Sequence, residues 1–312
     1  MNVLSLFDGI SIGKVALERA EIEVHNYYAS EVDKSAEKIS VNNHPDIVRL
    51  GDVTLLTEEK LAELPRIDLL IGGSPCQDIS VAKRENRKGL AGDKSKLFFE
   101  YLRILNWLKE NNNPDIKFVL ENVKGSAKDI EAITEYVGVD PILINSELVS
   151  AQVRKRYYWT NIEGVELPKR KDVKLTDILE YGYTEKEKAY CLTATYGNAC
   201  VQNYFIKSER QHIFTDPVKV EKIDGGRRYY ICNEEIDIFP SKGADYNRSN
   251  LNRLKQYTRK LTPIECERLQ TLPDNYTEGV SKGDRYKALG NGWTVDVIAH
   301  IFSSLKSNIN KI

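Results

Sequence analysis

Through residue 145 the chain alternates short apolar runs with amphipathic stretches, and most runs end in glycine or a carboxylate. Val3-Leu4-Ser5-Leu6 leads into Phe7-Asp8-Gly9-Ile10-Ser11-Ile12-Gly13 and a helical pattern to Ala20. Asn26-Tyr27-Tyr28-Ala29-Ser30 stops at Glu31 before a helix over 34–41, and an extended segment over 46–50 runs into Gly51-Asp52-Val53. Leu69-Leu70-Ile71 ends in Gly72-Gly73-Ser74-Pro75-Cys76-Gln77, an amphipathic helix spans 97–108, and Lys117-Phe118-Val119-Leu120 emerges at Glu121-Asn122-Val123. A helix near 127–136 and a strand over 141–145 continue the rhythm. Apolar runs this short, separated by helices, need parallel strands joined by helical crossovers. The expected fold class is α/β, a Rossmann-like sheet. Its ligand crevice lies outside the carboxyl ends of the strands, where Asp8, Glu31, Asp52 and Cys76 should converge.

Each of these positions has a physical rationale and a plainer alternative. Gly9 permits a tight strand-to-helix turn, and the helix behind it offers backbone N–H groups to an anion, although such glycines are common in any doubly wound sheet. Glu31 stands where an acidic residue reaches ribose hydroxyls. Asp52 is equally suited to capping a helix over 54–64. Pro75 fixes its own φ and biases Ser74 away from helix, so the Cys76 thiol is displayed on a shaped loop as a nucleophile would be. Read alone, Pro75-Cys76 is also an ordinary turn. The polar stretch 77–96 carries Lys83, Arg84, Arg87 and Lys88 between glycines and reads as a basic lid over the thiol, or as a plain surface loop.

No run approaches the length of a membrane span and nothing at the N-terminus resembles a signal peptide, so the protein is expected in the cytoplasm. The five cysteines form no Cys-x-x-Cys pair and the four histidines show no ligand spacing, which points away from structural zinc and from a disulfide framework. Charge is segregated. Residues 151–260 hold 21 Lys and Arg against 15 Asp and Glu, which leaves 24 against 31 of the chain totals of 45 and 46. A basic segment beside an acidic body suits a polyanionic partner, as it also suits a merely solvated Lys-rich surface. The βα rhythm is lost from Thr160 to about Tyr257 and returns at Thr262-Pro263-Ile264-Glu265, the capping box of a helix. A smaller domain is therefore inserted over 160–258, between catalytic segments 1–159 and 259–312.

Taken in order, Phe7-x-Gly9, Glu31, Gly51-Asp52, Gly73-Ser74-Pro75-Cys76-Gln77, Glu121-Asn122-Val123, Gln152-x-Arg154-x-Arg156, residues 259–270 and Gly290-Asn291 resemble the motifs of the cytosine-C5 DNA methyltransferases. The bacterial and phage type, often part of restriction-modification, is the nearer pattern. Gly9-Ile10-Ser11-Ile12-Gly13, Gly292-Trp293-Thr294 and Ala151-Gln152-Val153-Arg154-Lys155-Arg156-Tyr157 resemble the animal de novo enzymes, while Asn291 keeps the bacterial form.

The resemblance implies S-adenosylmethionine as cofactor. Its binding residues would be Phe7, Asp8, Gly9, Ile10, Glu31, Val32, Asp52, Val53, Pro75, Asn291 and Trp293, with Phe7 and Asp52 at the adenine and Glu31 at the ribose. The catalytic residues would be Cys76, Glu121, Arg154 and Arg156. C5 of cytosine is a poor nucleophile, so a thiolate from Cys76 must add at C6. A carboxyl group at N3, Glu121, relieves the charge that this addition places on the ring. Arg154 and Arg156, two apart in an assumed strand, would share a face and orient Glu121 and the base O2. The implied partner is double-stranded DNA with its target base flipped, read by a monomer whose insert supplies base contacts, for example from Arg227 or Arg228. Two alternatives stand beside this: a tRNA cytosine methyltransferase, whose Cys-Phe-Thr signature is missing, and a non-catalytic DNA-binding relative.

Overall fold

The computed structural model describes residues 1–73, 96–123 and 125–309. The chain forms two compact units, one of residues 1–145, 155–168 and 295–312 and one of residues 146–154 and 169–294.

The first unit is built on a seven-stranded sheet of order β3-β2-β1-β4-β5-β7-β6. Its strands are β1 (Asn2–Leu6), β2 (Asn26–Ser30), β3 (Val48–Arg49), β4 (Leu69–Gly73), β5 (Lys117–Val123), β6 (Pro141–Asn145) and β7 (Lys155–Thr160). All pairs are parallel except those of β7, which runs antiparallel between β5 and β6. The order reverses between β1 and β4, so the crevice of a doubly wound sheet opens at their carboxyl ends.

Helices α1 (Ile12–Arg19), α2 (Lys34–Asn43), α3 (Glu58–Ala62), α4 (Lys96–Asn111) and α5 (Ala127–Val137) connect these strands. Where the sequence suggests one helix over 54–64, a 3-10 turn over Val53–Leu55 is followed by α3, because Asp52 caps the turn and Thr57 caps the helix separately. Helix α4 buries Phe98, Tyr101, Leu102, Leu105 and Leu108, spaced at three and four residues, in a core with Leu4, Leu6, Leu70, Phe118 and Leu120. Full burial of each such side chain is worth about 1.5–3 kcal/mol. Alternation along β4 sends Ile71 to the other face, where α1 lies against it, and α1 packs on the C-terminal helix of the unit, residues 295–309.

The second unit contains a two-stranded ladder of β8 (His212–Phe214) with β12 (Thr258–Lys260), and an antiparallel sheet of β9 (Val218–Ile223), β10 (Gly226–Ile231) and β11 (Glu234–Ile238). Cys232 and Asn233 both adopt left-handed φ in the β10–β11 turn, the conformation that matches strand twist in a two-residue hairpin. Its helices are α6 (Leu175–Ile178), α7 (Val201–Phe205), α8 (Gly243–Tyr246), α9 (Arg248–Gln256), α10 (Pro263–Leu269) and α11 (Lys282–Asn291); the first unit's last helix is α12 (Val295–Ile309). Tyr204, Phe205, Phe214, Tyr229, Ile231, Ile236 and Ile238 form its core with Leu251 and Leu254. At α10, Thr262 Oγ1 accepts from Glu265 N while Glu265 Oε2 accepts from Thr262 N, the box legible in the sequence. Residues 259–294 fall in this unit because α10 packs on α6 and α11 and because α11 packs on the turn Tyr196–Asn198. The contact boundary thus differs from the sequence boundary at 258.

Candidate active site

Three left-handed residues, Phe7 (φ 58°), Gly9 (φ 61°) and Ser11 (φ 59°), wind the chain from β1 into α1 within five positions. For Phe7 and Ser11 that conformation costs roughly 1–2 kcal/mol each. It is repaid by local hydrogen bonds. Asp8 N donates to Ser30 O at 3.0 Å, and Gly9 N donates to Glu31 Oε2 at 2.7 Å. The other Glu31 oxygen accepts from Val32 N and Asp33 N at 2.9 and 2.8 Å. Asp8 accepts from Ser11 Oγ at 2.5 Å and from Tyr27 Oη at 2.8 Å. Burial pushes the Asp8 carboxyl up, against the opposing pull of its bonds to Ser11, Ser5 and Tyr27. Asp8, Gly9 and Glu31 line one small cleft with Ala29, Glu37, Ser40 and Arg49.

Gly13 explains the late second glycine of the motif. A Cβ there would stand 2.3 Å from Ile71 Cδ1 and 2.7 Å from Tyr27 Oη, so the glycine lets α1 close onto the sheet. Ile10 and Val53 are buried, and Val32 is 68% exposed beside Glu31. Asp52 follows β3 at the same edge and takes the capping role, accepting from Thr54 N and Thr54 Oγ1 at 2.9 and 2.8 Å.

Glu121 sits opposite Gly73 in the β4–β5 ladder and opposite Tyr158 in β7. Arg156 pairs with Val123, two residues on, so its side chain shares a face with Glu121 across the ladder's diagonal. Arg156 Nε lies 2.9 Å from Glu121 Oε1, with the two side chains 14% and 10% exposed. The residue next in sequence, Asn122, is fully buried and caps the strand end by accepting from Val123 N at 2.8 Å. Pro75, Cys76 and the 77–95 stretch lie outside the described residues.

Arg154 does not sit in the strand assumed for it. β7 begins at Lys155, and Arg154 belongs to the second unit, where its guanidinium donates to Leu192 O and Gly292 O at 2.8 Å and to Gly290 O at 3.3 Å. Gln152, fully buried, donates to Leu269 O and Gln270 Oε1 and accepts from Leu192 N. These bonds fix the end of α11, where Asn291 is exposed, and the turn after it that holds the half-buried Trp293. Nothing in the spacing of Gln152-x-Arg154-x-Arg156 shows that the two arginines fall in different units. Ser40 and Arg49 also line the cleft, and Tyr27 holds Asp8 from behind it, none of them singled out in the sequence; the alternation of β2 was the available signal for Tyr27.

The profile of the C-5 cytosine-specific DNA methylase family matches residues 1–135 and 142–307. The chain belongs to that family. It is 27% identical to the type II methyltransferase M.NlaX of Neisseria lactamica, covering 100% of this chain and 98% of that protein. Against the type II methyltransferase M.HhaI of Haemophilus parahaemolyticus it is 26% identical, with 99% and 95% covered. Its fold matches the Entamoeba histolytica methyltransferase EhMeth with a TM-score of 0.71 at 16% identity, covering 99% and 98% of the two chains.

This C-5 cytosine methylase therefore carries a DNA (cytosine-5-)-methyltransferase activity, and the family implies S-adenosylmethionine as methyl donor. The crevice suits such a ligand. Gly9 leaves open space where a Cβ would project, the Glu31 oxygens retain lone pairs beyond their backbone bonds, and Val32 offers exposed apolar surface beside them. Among the described residues no helix is long and apolar enough to cross a membrane.

Proposed function

We propose that the protein methylates C5 of a flipped cytosine in a specific duplex DNA sequence through a Cys76 thiolate adduct. The observation that carries this is the pairing of Gly73 with Glu121: the strand leading to Pro75-Cys76 ends beside a carboxylate that Arg156 holds at 2.9 Å. S-adenosylmethionine, when bound, supplies an electrophilic sulfonium methyl group. The chain's own residues do the rest. Cys76 adds to C6 while Glu121, its position set by Arg156, protonates N3; the resulting enamine carbon C5 takes the methyl as its bond to sulfur breaks, and loss of the C5 proton then expels the Cys76 thiolate and frees the methylated base. Phe7, Asp52 and Val32 would hold the adenine, Glu31 the ribose, and Asp8, Gly9, Ile10, Val53, Pro75, Asn291 and Trp293 would complete the cofactor site. The insert, placed by sequence at 160–258, would read the target, with the protein acting as a cytoplasmic monomer.

Transfer of labelled methyl groups into a random duplex library, followed by mapping of product sites, tests the reading. Wild type should label one DNA sequence and Cys76→Ser none, and 5-fluorocytosine DNA should trap a covalent complex only when Cys76 is present. Preferential labelling of tRNA would overturn the substrate, and full turnover by Cys76→Ser the mechanism.

A further inference from the structure

One peptide bond in the chain joins asparagine to glycine, and it lies at the end of α11. Asn291 is the last helical residue and is exposed, and Gly292 follows it with φ −67° and ψ 163°. The amide carbon of an asparagine side chain is open to attack by the backbone nitrogen of the next residue, and a glycine there puts no Cβ in the way of ring closure. Asn291-Gly292 is thus the chemically weakest asparagine position in the sequence.

The backbone around it is held from several sides. Gly292 N donates to Ala288 O at 2.9 Å, the bond that closes the helix. Gly292 O accepts from Arg154 Nη2 at 2.8 Å and from Gln270 Nε2 at 3.2 Å. On the other side of Asn291, Gly290 O accepts from the same Arg154 nitrogen at 3.3 Å, and Leu289 O accepts from Gln270 Nε2 at 2.7 Å. Gly290 is also pressed onto the backbone of Thr193, where a Cβ would stand 2.1 Å from the carbonyl carbon. Arg154 and Gln270 are 3% and 0% exposed, so water competes little for these bonds. Every residue of this clamp belongs to the second unit.

Ring closure needs two movements that the clamp opposes. The Gly292 nitrogen must release the proton it shares with Ala288 O, and ψ of Asn291 must leave its helical value so that the nitrogen can approach Cγ. Such a rotation swings the Gly292 carbonyl away from two buried donors, which are then left unpaired.

We propose that Asn291-Gly292 is a deamidation site held shut by Arg154, Gln270 and Ala288, and that its opening converts Asn291 to an aspartyl or isoaspartyl residue that no longer serves the cofactor. In the reaction Gly292 N bonds to Asn291 Cγ as the Cγ–Nδ2 bond breaks, and the leaving nitrogen departs as ammonia with the Gly292 proton. Water then opens the cyclic imide at either carbonyl, so no other reactant is needed. The amide donor is lost and a negative charge takes its place. The loss of cofactor rests on the reading of Asn291 as a cofactor residue, whereas the modification itself does not.

The turn opens and closes quickly beside so slow a reaction, so the native rate is the open fraction multiplied by the rate in the unfolded chain. The test incubates the full chain without ligand at mildly alkaline pH, in buffer and in urea, and follows the peptide containing Asn291 by mass spectrometry. Native wild type should convert at least about tenfold more slowly than the urea-unfolded chain. Arg154→Lys and Gln270→Met, each confirmed folded by circular dichroism, should convert at least about fivefold faster than native wild type. Gly13→Ala, which crowds the first unit, should keep the wild-type rate. A native rate equal to that in urea, or clamp variants no faster than Gly13→Ala, overturns the proposal. Converted wild type, separated on anion exchange by its added negative charge, should bind S-adenosylhomocysteine at least about tenfold more weakly in calorimetry. Undiminished binding, with the rates as expected, would overturn the cofactor reading of Asn291 and leave the modification site standing.

Discussion

Arg156 reaches Glu121 from the neighbouring antiparallel strand, Nε to Oε1 at 2.9 Å, in a setting where each side chain is largely withdrawn from water. A carboxylate oriented in this way before any base arrives loses little freedom on binding one, which is how a preorganised site lowers a barrier. The pair also commits the fold, because removing one partner of a buried ion pair leaves the other charge uncompensated at a cost of about 3–5 kcal/mol.

The two residues should therefore separate experimentally. Glu121→Gln keeps the shape and an acceptor for Arg156, so it should lose less stability than Arg156→Ala while single-turnover methyl transfer falls roughly 10²- to 10⁴-fold. Arg156→Ala should lower both. A Glu121→Gln enzyme that transfers methyl at the wild-type rate would remove the carboxyl from the mechanism.

Gly290 and Gly13 make a graded pair of packing tests. A Cβ on Gly290 would fall 2.1 Å from Thr193 C and 2.2 Å from Ala194 N, backbone atoms that cannot rotate aside. At Gly13 the obstacles are the far ends of Ile71 and Tyr27. Overpacking of the second kind costs about 1–3 kcal/mol, and Gly290→Ala should exceed it. Calorimetric unfolding of both variants ranks them, and a Gly290→Ala protein as stable as wild type would contradict the close approach.

What could be read from the sequence follows the range of the interactions involved. Strands β1, β2, β4, β5 and β6 and helices α1, α2, α4, α5 and α10 carry their signals locally, in apolar period, glycine turns and capping residues. The place of β7 between β5 and β6 is a long-range choice that no local pattern in Lys155–Thr160 encodes. The arginines show the same limit. Period two assigns Arg154 and Arg156 to one face, but the strand starts between them and Arg154 is drawn to the carbonyl oxygens of Leu192, Gly290 and Gly292, residues remote in sequence. Arg227 and Arg228 are equivalent in sequence, and only the position of Asp237 across the ladder distinguishes them.

Two histidines should make stability fall with acidity. His44 is 8% exposed, and burial, with Lys14 nearby, lowers its pKa from 6.5 to about 4; burial also lowers that of His212. Between pH 6.5 and 4 the unfolded chain binds a proton at residue 44 that the folded chain does not, so stability is full above 6.5 and is lost progressively as pH falls toward 4. Urea midpoints at pH 7.5 and pH 5 measure the loss, which should shrink in His44→Gln. An equal loss in that variant would assign the acid sensitivity to other groups.

Arg154 is predicted to act on the second unit's architecture and not on Glu121. Its planar guanidinium satisfies three carbonyl oxygens at once, two of them flanking Asn291 at the end of α11, where a cation also complements the helix dipole. Lysine carries the charge but cannot span all three, and each buried carbonyl left without a donor costs about 1–3 kcal/mol. Arg154→Lys should thus unfold at a distinctly lower temperature and bind S-adenosylhomocysteine more weakly in calorimetry, if Asn291 serves the cofactor, while single-turnover transfer at saturating cofactor stays within a few-fold of wild type. Arg156→Lys should show the converse, with cofactor binding preserved and transfer slowed. If Arg154→Lys instead keeps its stability and cofactor affinity and loses the chemical step, the two arginines share the catalytic role that their spacing first suggested.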